Sequence, residues 1–264
     1  MKSIRSTLTA ALAVLALLAL ADGAWAQISD INAAINKAGR QRMLSQRMAK
    51  AYFQLGQGVD VERSQQALDS SIALFDRQLV ELKNYAPTPE IRDTYLQLQQ
   101  SWLAYKDALV GSAPNKAGGR TVLKLSDDVL KLAHQGATQL EKHAGTTAGR
   151  LVNVSGRQRM LSQRMAKFYQ AINWTVSDNA STGELEKARK EFVAAQEELK
   201  KAVGQSGTLK ESLDRIGRQW VFLEAALTQR GGDRHYFATD VAAASELILQ
   251  ELETAVELFE KRRP

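Results

Sequence analysis

A twelve-residue segment occurs twice in this chain, and it constrains the fold more than any other feature. Residues 39–50 read Gly-Arg-Gln-Arg-Met-Leu-Ser-Gln-Arg-Met-Ala-Lys, and residues 156–167 repeat them without a change. A helix that only fills a core tolerates exchanges among Leu, Met and Ala. The identity of the polar positions therefore indicates one binding site that is assembled from two matching halves.

Weaker matches extend the repeat over most of the chain. Aromatic, apolar and polar residues recur at nearly constant spacing, with a slow drift that single-residue loop insertions would produce. The matched pairs are Phe75 with Phe192, Leu82 with Leu199, Trp102 with Trp220, and Ser126 with Ser245. We therefore predict two units, residues 27–145 and 146–264, which together are long enough to bury a hydrophobic core in each.

Apolar residues in each unit recur at alternating steps of four and three, the spacing of helices that pack in bundles. The first unit shows this spacing at Leu68, Ile72, Phe75 and Leu79, and the second repeats it around Phe192. No segment alternates apolar and polar residues with the β-branched composition of a strand. The predicted fold is all-α, with two tandem antiparallel four-helix bundles related by the internal repeat.

Glycine, proline and short polar residues predict where the helices stop. The predicted breaks are Gly56 and Gly58, Pro87 and Pro89, Pro114 with Gly118 and Gly119, residues 177–179, Gly204 with Gly207, and residues 231–232. The fourth helices are predicted at roughly residues 122–141 and 241–259. Between the units, Gly145 and Gly149 each cost about 1 kcal/mol inside a helix. This cost favours a turn, with the two bundles side by side, over one continuous rod.

The N-terminus has the pattern of a secretory signal peptide. Lys2 and Arg5 precede an apolar run over residues 8–20, and residues 24–26 provide the small side chains that a signal peptidase requires. Residues 1–26 are therefore predicted to be removed, which places the mature protein in the periplasm. The alternative is an uncleaved membrane anchor, which is disfavoured because the apolar run is short for a bilayer span.

Composition excludes several classes of site. The net charge is +6, carried largely by the repeated segments, and the aromatic residues do not alternate with a basic stripe as in single-strand nucleic-acid binders. The chain has no cysteine, which excludes disulfides, thiolate metal sites and c-type haem attachment. His134, His143 and His235 show neither metal-ligand spacing nor a catalytic grouping. We therefore expect no nucleic-acid partner, no cofactor, no metal and no enzymatic activity.

One face of the repeated helix carries residues unsuited to a self-contained bundle. Glycine, arginine, glutamine and alanine follow one another there at steps of three and four, where a bundle would place leucine. The face comprises Gly39, Arg42, Gln46 and Ala49 in the first unit and Gly156, Arg159, Gln163 and Ala166 in the second. The small residues allow a second helix to come close, and the matching face of the other unit is the natural partner. Arg42 and Arg159 are then predicted to face each other across a pseudo-two-fold axis.

Two facing guanidinium groups favour an anion between them. Like charges about 4 Å apart repel by about 4 kcal/mol at an effective dielectric of 20, and an intervening anion reverses the sign. The planar guanidinium donates paired hydrogen bonds to flat oxyanions, so a small, planar, singly charged anion fits best. Asn36 and Asn153 are expected to add amide donors, helped by free N–H groups if the helices begin nearby. The alternative is that both arginines only fix the register between helices.

A third face of the repeated helix is predicted to be a solvated cationic surface. It carries Arg40, Met43, Arg47 and Lys50, with matching residues in the second unit. Arg47 and Arg164 are expected to pair with carboxylates of neighbouring helices. The binding site is therefore assigned to the face that carries Arg42.

The repeated segment resembles two known families. Asn-Lys-Ala-Gly at residues 36–39, followed by Arg-Met at residues 42–43 and by Ser45 with Arg47, is similar to the P-box of the periplasmic sensor domain in NarX-type nitrate/nitrite sensor kinases. The longer segment at residues 38–48, Ala-Gly-Arg-Gln-Arg-Met-Leu-Ser-Gln-Arg-Met, resembles the PilJ-type N-terminal domain of type IV pilus methyl-accepting chemotaxis transducers. The resemblance covers both units, although only the repeated segments are motif-specific.

This resemblance implies antiparallel four-helix bundles and an anion between two first helices, as in the homodimers of the nitrate sensors. It implies that Arg42 and Arg159 hold nitrate or nitrite. The surrounding residues are Asn36, Asn153, Gly39 and Gly156, and Gln46 and Gln163 from the same face complete the predicted ligand-binding set. Because both halves lie on one chain, we expect a monomer that forms a permanent pseudo-dimer. Residues 153–156 read Asn-Val-Ser-Gly, so the two half-sites are chemically unequal.

Two functions fit these features. The first is a soluble periplasmic sensor-type protein that binds nitrate or nitrite and signals to a membrane partner, a sensor kinase or a chemoreceptor. The second is a ligand-free helical interaction module whose arginine face docks on such a receptor. The sequence shows no second membrane span, linker, kinase or methyl-accepting helix before Pro264. We therefore expect a sensor domain that works through a separate transmitter.

Overall fold

The computed structural model describes residues 28–204, 207–229 and 233–262, and every regular element in these ranges is an α-helix. The first unit contains α1 (Ile31–Gln57), α2 (Val61–Tyr85), α3 (Pro89–Val110) and α4 (Lys116–Ala144). The second contains α5 (Thr147–Asn173), α6 (Ser181–Ala202), α7 (Thr208–Thr228) and α8 (Arg234–Lys261). This order confirms the all-α prediction with two tandem sets of four helices.

Two predictions concern the N-terminus and the division of the chain. The predicted signal peptide, residues 1–26, lies outside the described residues. The division into residues 27–145 and 146–264 stays a prediction. None of the described helices combines the length and apolar character that a bilayer span requires.

Side-chain caps explain where the two repeated helices begin. Asp30 accepts a hydrogen bond from the backbone N–H of Ala33 at 2.9 Å, so α1 starts directly after Asp30. Thr146 caps α5 in the same way, through the N–H of Gly149. At its other end, α1 stops at Gly58, which takes a left-handed conformation with φ 72°.

A tight turn at Gly145 decides how the two units are arranged. Gly145 ends α4 in the left-handed conformation, with φ 61°, and Thr146 begins α5 immediately afterwards. Gly149 lies within α5 and does not interrupt it. The chain therefore reverses between α4 and α5, and the two units lie side by side, as predicted, although Gly145 alone of the two glycines breaks the helix.

The helices that carry the repeated segment form the centre of the molecule. α1 packs against α2 and α4 of its own unit, α5 packs against α6 and α8, and α1 and α5 make the most extensive contact with each other. Gln46 on α1 lies opposite Arg164 on α5, and Gln57 lies opposite Gln170. Because these pairs run in the same order on both helices, α1 and α5 are parallel and related by a pseudo-two-fold axis along their length.

Each unit buries its own copy of the same aromatic contact. The ring centroids of Phe75 and Trp102 are 4.2 Å apart, and those of Phe192 and Trp220 are 4.6 Å apart. These are residues that the sequence repeat had matched. Aromatic pairs at such distances contribute packing energy beyond the area that they bury, so the two cores are stabilised in the same way.

The prediction that Gly118 and Gly119 help to separate α3 from α4 is wrong. Both glycines lie inside the first turns of α4. The reason is packing. A Cβ atom on Gly118 would lie 2.4 Å from the hydroxyl oxygen of Tyr52, and one on Gly119 would lie 2.7 Å from the ring of Trp174. Asn115 caps the helix through the N–H of Gly118, so α4 begins at Lys116, before the predicted position.

Two further helix ends also differ from prediction. α5 already ends at Asn173, before the predicted break at residues 177–179, and α8 begins at Arg234, before residue 241. Asp233 accepts a hydrogen bond from the N–H of His235 at 2.8 Å and so allows the earlier start. Apolar spacing marks only the buried part of a helix, so it underestimates helices with exposed first turns. The predicted break at residues 231–232 lies outside the described residues.

Candidate functional site

α1 and α5 come into backbone contact at Gly39 and Gly156. A Cβ atom on Gly39 would lie 3.4 Å from the Cα atom of Gly156, and one on Gly156 would lie 3.5 Å from the Cα atom of Gly39. Ala49 and Ala166, on the same faces, are fully buried. The two copies of the glycine, arginine, glutamine and alanine face therefore pack against each other, as predicted, because small residues let the backbones approach.

Arg42 and Arg159 each reach across the pseudo-two-fold axis to the opposite helix. Nη2 of Arg42 donates to the carbonyl oxygen of Asn153 at 3.2 Å and to its Oδ1 atom at 2.6 Å. Nη2 of Arg159 donates to the same two atoms of Asn36, at 3.0 and 2.7 Å. Both arginine side chains are fully buried. Each half of the site is therefore completed by the other unit.

The two guanidinium groups lie close together in this buried interface. A Cβ position on Gly39 is 3.3 Å from Nη2 of both arginines, so the two nitrogens are separated by at most twice that distance. Burial, followed by repulsion from Arg159 and Arg157, lowers the pKa of Arg42 to about 9. Burial also lowers the pKa of Arg159, although Glu253 opposes this effect. Positive charge is thus concentrated where desolvation penalises it most.

The amide groups of Asn36 and Asn153 are arranged differently from the prediction that they donate to an anion. Their Oδ1 atoms accept hydrogen bonds from the arginines, while their Nδ2 atoms donate to Glu260 and Glu141, respectively. Their backbone N–H groups lie inside the helices, because α1 and α5 begin more than one turn earlier. In this structure the asparagines therefore position the two guanidinium groups.

Gln46 and Gln163, the remaining predicted ligands, lie along the helices beyond the arginine pair. Nε2 of Gln46 donates to the backbone oxygen of Ser126 at 3.0 Å, and Nε2 of Gln163 donates to that of Ser245 at 2.8 Å. These bonds tie each central helix to the fourth helix of its own unit. The structure thus brings the arginines, asparagines and glycines together and gives the glutamines a separate contact.

The two buried arginines differ in their counter-ions. Nη1 of Arg159 pairs with Oε2 of Glu253 at 2.6 Å, and Arg40 pairs with the same carboxylate at 2.6 Å. Arg42 forms no ion pair with the described residues, and its Nη1 lies 3.4 Å from Nδ1 of His134. Burial opposes the ionisation of Glu253, but the two arginines still lower its pKa to about 2. One half of the site therefore has a counter-ion, shared by two arginines, and the other half has none within the part of the chain that the structure describes.

The predicted site did not include His134 and Glu253, which make this difference. The repeat contained a usable signal, because the spacing that joins Ser126 to Ser245 also joins His134 to Glu253. An acidic residue on α8 is thus replaced by a histidine at the matching position of α4. Many positions differ between the two units, and only the contact of His134 with Arg42 in the structure distinguishes this one.

The prediction of a solvated third face is wrong for Lys50 and Met43, which are 1 % and 3 % exposed. Nζ of Lys50 pairs with Glu246 on α8 at 2.5 Å, and Nζ of Lys167 pairs with Asp127 on α4 at 2.9 Å. Each lysine is buried because the other unit supplies its carboxylate. The expectation that Arg47 and Arg164 bind neighbouring carboxylates is confirmed by their pairs with Glu246 and with Asp127 and Glu184, respectively.

A surface cavity of about 400 Å³ lies beside the half-site that lacks a counter-ion. It is formed by α4, α5 and α6, and His134 and Arg157 are among its lining residues. The cavity therefore lies next to this half-site, since its lining residue His134 is 3.4 Å from Nη1 of Arg42. Among the described residues, no group of three or more histidine or acidic side chains is placed to bind a metal ion.

Comparison with known proteins identifies the family. The family model for PilJ, described as the type IV pili methyl-accepting chemotaxis transducer N-terminal domain, matches residues 24–129 and 145–230. Both copies of the repeated segment lie within the matched ranges. No curated protein and no solved structure matches the chain. The chain therefore belongs to the PilJ family of type IV pilus methyl-accepting chemotaxis transducer N-terminal domains.

Proposed function

We propose that this chain is a periplasmic sensor module that binds a small planar anion, nitrate or nitrite, at the paired guanidinium groups of Arg42 and Arg159. The family supports the coarser part of this statement, because PilJ domains are sensing and signalling modules. The observation that carries the finer part is Arg42, a fully buried cation that faces a second cation and forms no ion pair with the described residues.

The electrostatics of the pair favour one monovalent anion. A buried charge without a partner costs several kcal/mol, and a second like charge nearby adds to that cost. Glu253 already offsets the charge of Arg159. A single negative charge near Arg42 would therefore remove most of the remaining imbalance, and a planar oxyanion matches the paired donors of guanidinium.

The same geometry suggests how binding becomes a signal. An anion at the pair competes with the oxygens of Asn36 and Asn153 for the two Nη2 groups. These bonds link α1 to α5, the two central and parallel helices, so their replacement changes how the units pack. We propose that a membrane partner, a chemoreceptor or a sensor kinase, responds to this change.

The alternative function, docking through the arginine face without a ligand, has less support. Arg42 and Arg159 are fully buried, and so are the alanines and glutamines of the same faces. That surface is already used between α1 and α5 and is not free to contact another bundle. Any receptor contact must use a different surface.

Thermal unfolding in matched concentrations of sodium nitrate, nitrite, chloride and sulfate tests the proposed function. Nitrate or nitrite is expected to raise the midpoint relative to chloride, because a ligand at 100 times its Kd stabilises the native state by about 2.7 kcal/mol. Arg42→Met is expected to abolish this response. Arg47→Met is the matched control, since Arg47 belongs to the same repeated segment but pairs with Glu246.

Two results would argue against the proposal. The first is a midpoint that is the same in nitrate, nitrite and chloride. The second is a nitrate response that Arg42→Met leaves intact, because the anion would then bind elsewhere.

A further inference from the structure

The second half of the site shows how this fold holds a carboxylate. The carboxylate of Glu253 accepts from Nη1 of Arg159 at 2.6 Å and from Nη2 and Nε of Arg40 at 2.6 and 3.3 Å. Glu253 belongs to α8, and the two arginines belong to α5 and α1. Its carboxylate therefore reaches from α8 to both central helices. This arrangement is an internal reference for the matching position in the first half.

The first half keeps the two arginines but lacks the carboxylate. The residues that match Arg159 and Arg40 are Arg42 and Arg157, and His134 stands in the position of Glu253. Arg157 forms no hydrogen bond or ion pair with the residues that the structure describes, and its Nε atom is buried without a partner. Nη1 of Arg42 has only a long contact, 3.4 Å, with the imidazole of His134.

Two other buried contacts next to the site are matched between the halves. Asn153 donates to Glu141 as Asn36 donates to Glu260, and the buried lysines pair with Asp127 and Glu246 in the same way. The two halves thus agree around the site and differ in the missing carboxylate.

The cavity beside His134 gives this position access to solvent. Its volume of about 400 Å³ lies in the usual range for small-molecule sites. Arg157 and His134 line it together with the apolar side chains of Leu130, Met160, Leu161 and Ala188. The other lining residues are three cations and three carboxylates, namely Lys131, Arg164, Lys187, Asp127, Glu184 and Glu191. The site therefore offers a cation for a carboxylate and apolar surface for a short hydrocarbon chain.

We propose that this lateral cavity binds a short-chain aliphatic monocarboxylate whose carboxylate occupies the position matching Glu253, between Arg157 and Nη1 of Arg42. The imidazole of His134 gives up its long contact with Arg42 and turns aside. The site is distinct from the nitrate position between Arg42 and Arg159, although both use Arg42, the lateral site through Nη1 and the axial site through Nη2. Burial, Arg42 and Arg157 all lower the pKa of His134, which agrees with an excess of positive charge at this position.

Calorimetric titration of the chain with sodium butyrate and sodium acetate, at constant ionic strength in chloride, tests the proposal. Butyrate is expected to bind at one site, and more tightly than acetate by about fourfold for each CH₂ that becomes fully buried. Arg157→Gln is expected to weaken butyrate at least about tenfold, because it removes one of the two cations. Arg40→Gln, at the matching position in the half that contains Glu253, is expected to leave butyrate binding unchanged.

A second variant tests the same proposal without removing an arginine. His134→Glu supplies the missing carboxylate on the chain itself, as Glu253 does in the other half. It is expected to raise the midpoint of thermal unfolding in the absence of butyrate and to abolish butyrate binding.

Several outcomes would overturn the lateral site. These are the absence of butyrate binding, equal losses in Arg157→Gln and Arg40→Gln, or undiminished binding in His134→Glu. Undiminished butyrate binding in Arg157→Gln would place the ligand outside the lateral cavity. A chain that responds to nitrate but not to butyrate overturns the lateral site alone, and the reverse result overturns the proposed nitrate function alone.

Discussion

Arg42 and Arg159 occupy matching positions, but their burial has different energetic consequences. Both donate to an asparagine of the opposite helix, and only Arg159 also pairs with a carboxylate, that of Glu253. Breaking a buried ion pair leaves an uncompensated charge, whereas removing an unpaired charge relieves a desolvation cost. Equivalent residues in a repeat are therefore predicted to respond differently to the same substitution.

The first prediction compares Arg42→Met with Arg159→Met. Each change removes the hydrogen bonds to one asparagine, so those losses cancel in the comparison. Arg159→Met is expected to lower the free energy of unfolding by about 2 kcal/mol more than Arg42→Met, because Glu253 then keeps only Arg40. Urea denaturation at neutral pH in chloride measures the difference. Equal losses in the two variants would contradict the idea that Arg42 lacks a counter-ion.

The second prediction concerns pH and His134. Burial, Arg42 and Arg157 lower the pKa of His134 below its ordinary value of 6.5. Between the lowered pKa and 6.5 the native state binds fewer protons than the unfolded state, so the free energy of unfolding falls as pH falls through this window. His134→Gln is expected to flatten that decline. His143→Gln, which changes the other exposed histidine of the same helix, should leave it in place.

At the scale of elements, the parallel packing of α1 and α5 depends on glycine at the crossing. A Cβ atom on Gly39 would meet both guanidinium groups at 3.3 Å and the backbone of Gly156 at 3.4 Å. The distance to the guanidinium groups is tighter than an ordinary contact and the distance to Gly156 is at its lower limit, and neither a buried guanidinium nor a helix backbone moves easily. Glycine is therefore retained in the middle of a helix although it is a poor helix former.

The third prediction follows from this contact. Gly39→Ala is expected to lower the free energy of unfolding by about 1–2 kcal/mol, because the cost of overpacking exceeds the gain in helix propensity. Gly217→Ala is the matched control, since Gly217 lies within α7 and a Cβ atom there would meet nothing within 4 Å. The control should stabilise the protein by about 0.5–1 kcal/mol. Thermal or urea unfolding of both variants checks the opposite signs.

At the scale of the whole molecule, ion pairs between the units keep the two bundles together. Lys50 of the first unit pairs with Glu246 of the second, and Lys167 of the second pairs with Asp127 of the first. Both lysines are almost fully buried, at 1 % and 0 % exposure of their side chains. Separating the units would leave each lysine without its carboxylate, so folding and association of the units are coupled.

The fourth prediction uses the pH dependence of this interface. Burial opposes the ionisation of Glu246, but Lys50 and Arg47 lower its pKa from 4.5 to about 2. Its stabilising contribution is present above pH 4.5 and is lost as pH falls from there through about 2. Glu246→Gln should therefore lower the free energy of unfolding at pH 7 by about 2 kcal/mol, and the deficit should shrink in acid. Glu251→Gln, at another acidic position of α8 that pairs within its own unit, is the control.

The sequence by itself predicted the features that depend on local spacing. Heptad spacing around Phe75 and its copy Phe192 was enough to predict helices and bundles, because a buried stripe must recur with the period of the helix. Gly145 predicted the turn between the units, since glycine takes the left-handed conformation without strain. The repeated face also predicted that Arg42 and Arg159 lie together, because matching small residues favour the packing of one copy on the other.

Only the tertiary structure decided which charges are balanced. Lys50 is followed along the chain by apolar residues and no neighbour in sequence reveals Glu246, because the two lie in different units. In the same way, the pairing of Arg159 with Glu253, and of Arg42 with His134, depends on helices that are far apart in sequence. Burial and Coulomb energies are set by distances through space, so a repeated sequence determines where matching residues lie, whereas the folded contacts determine which of them keeps an unpaired charge.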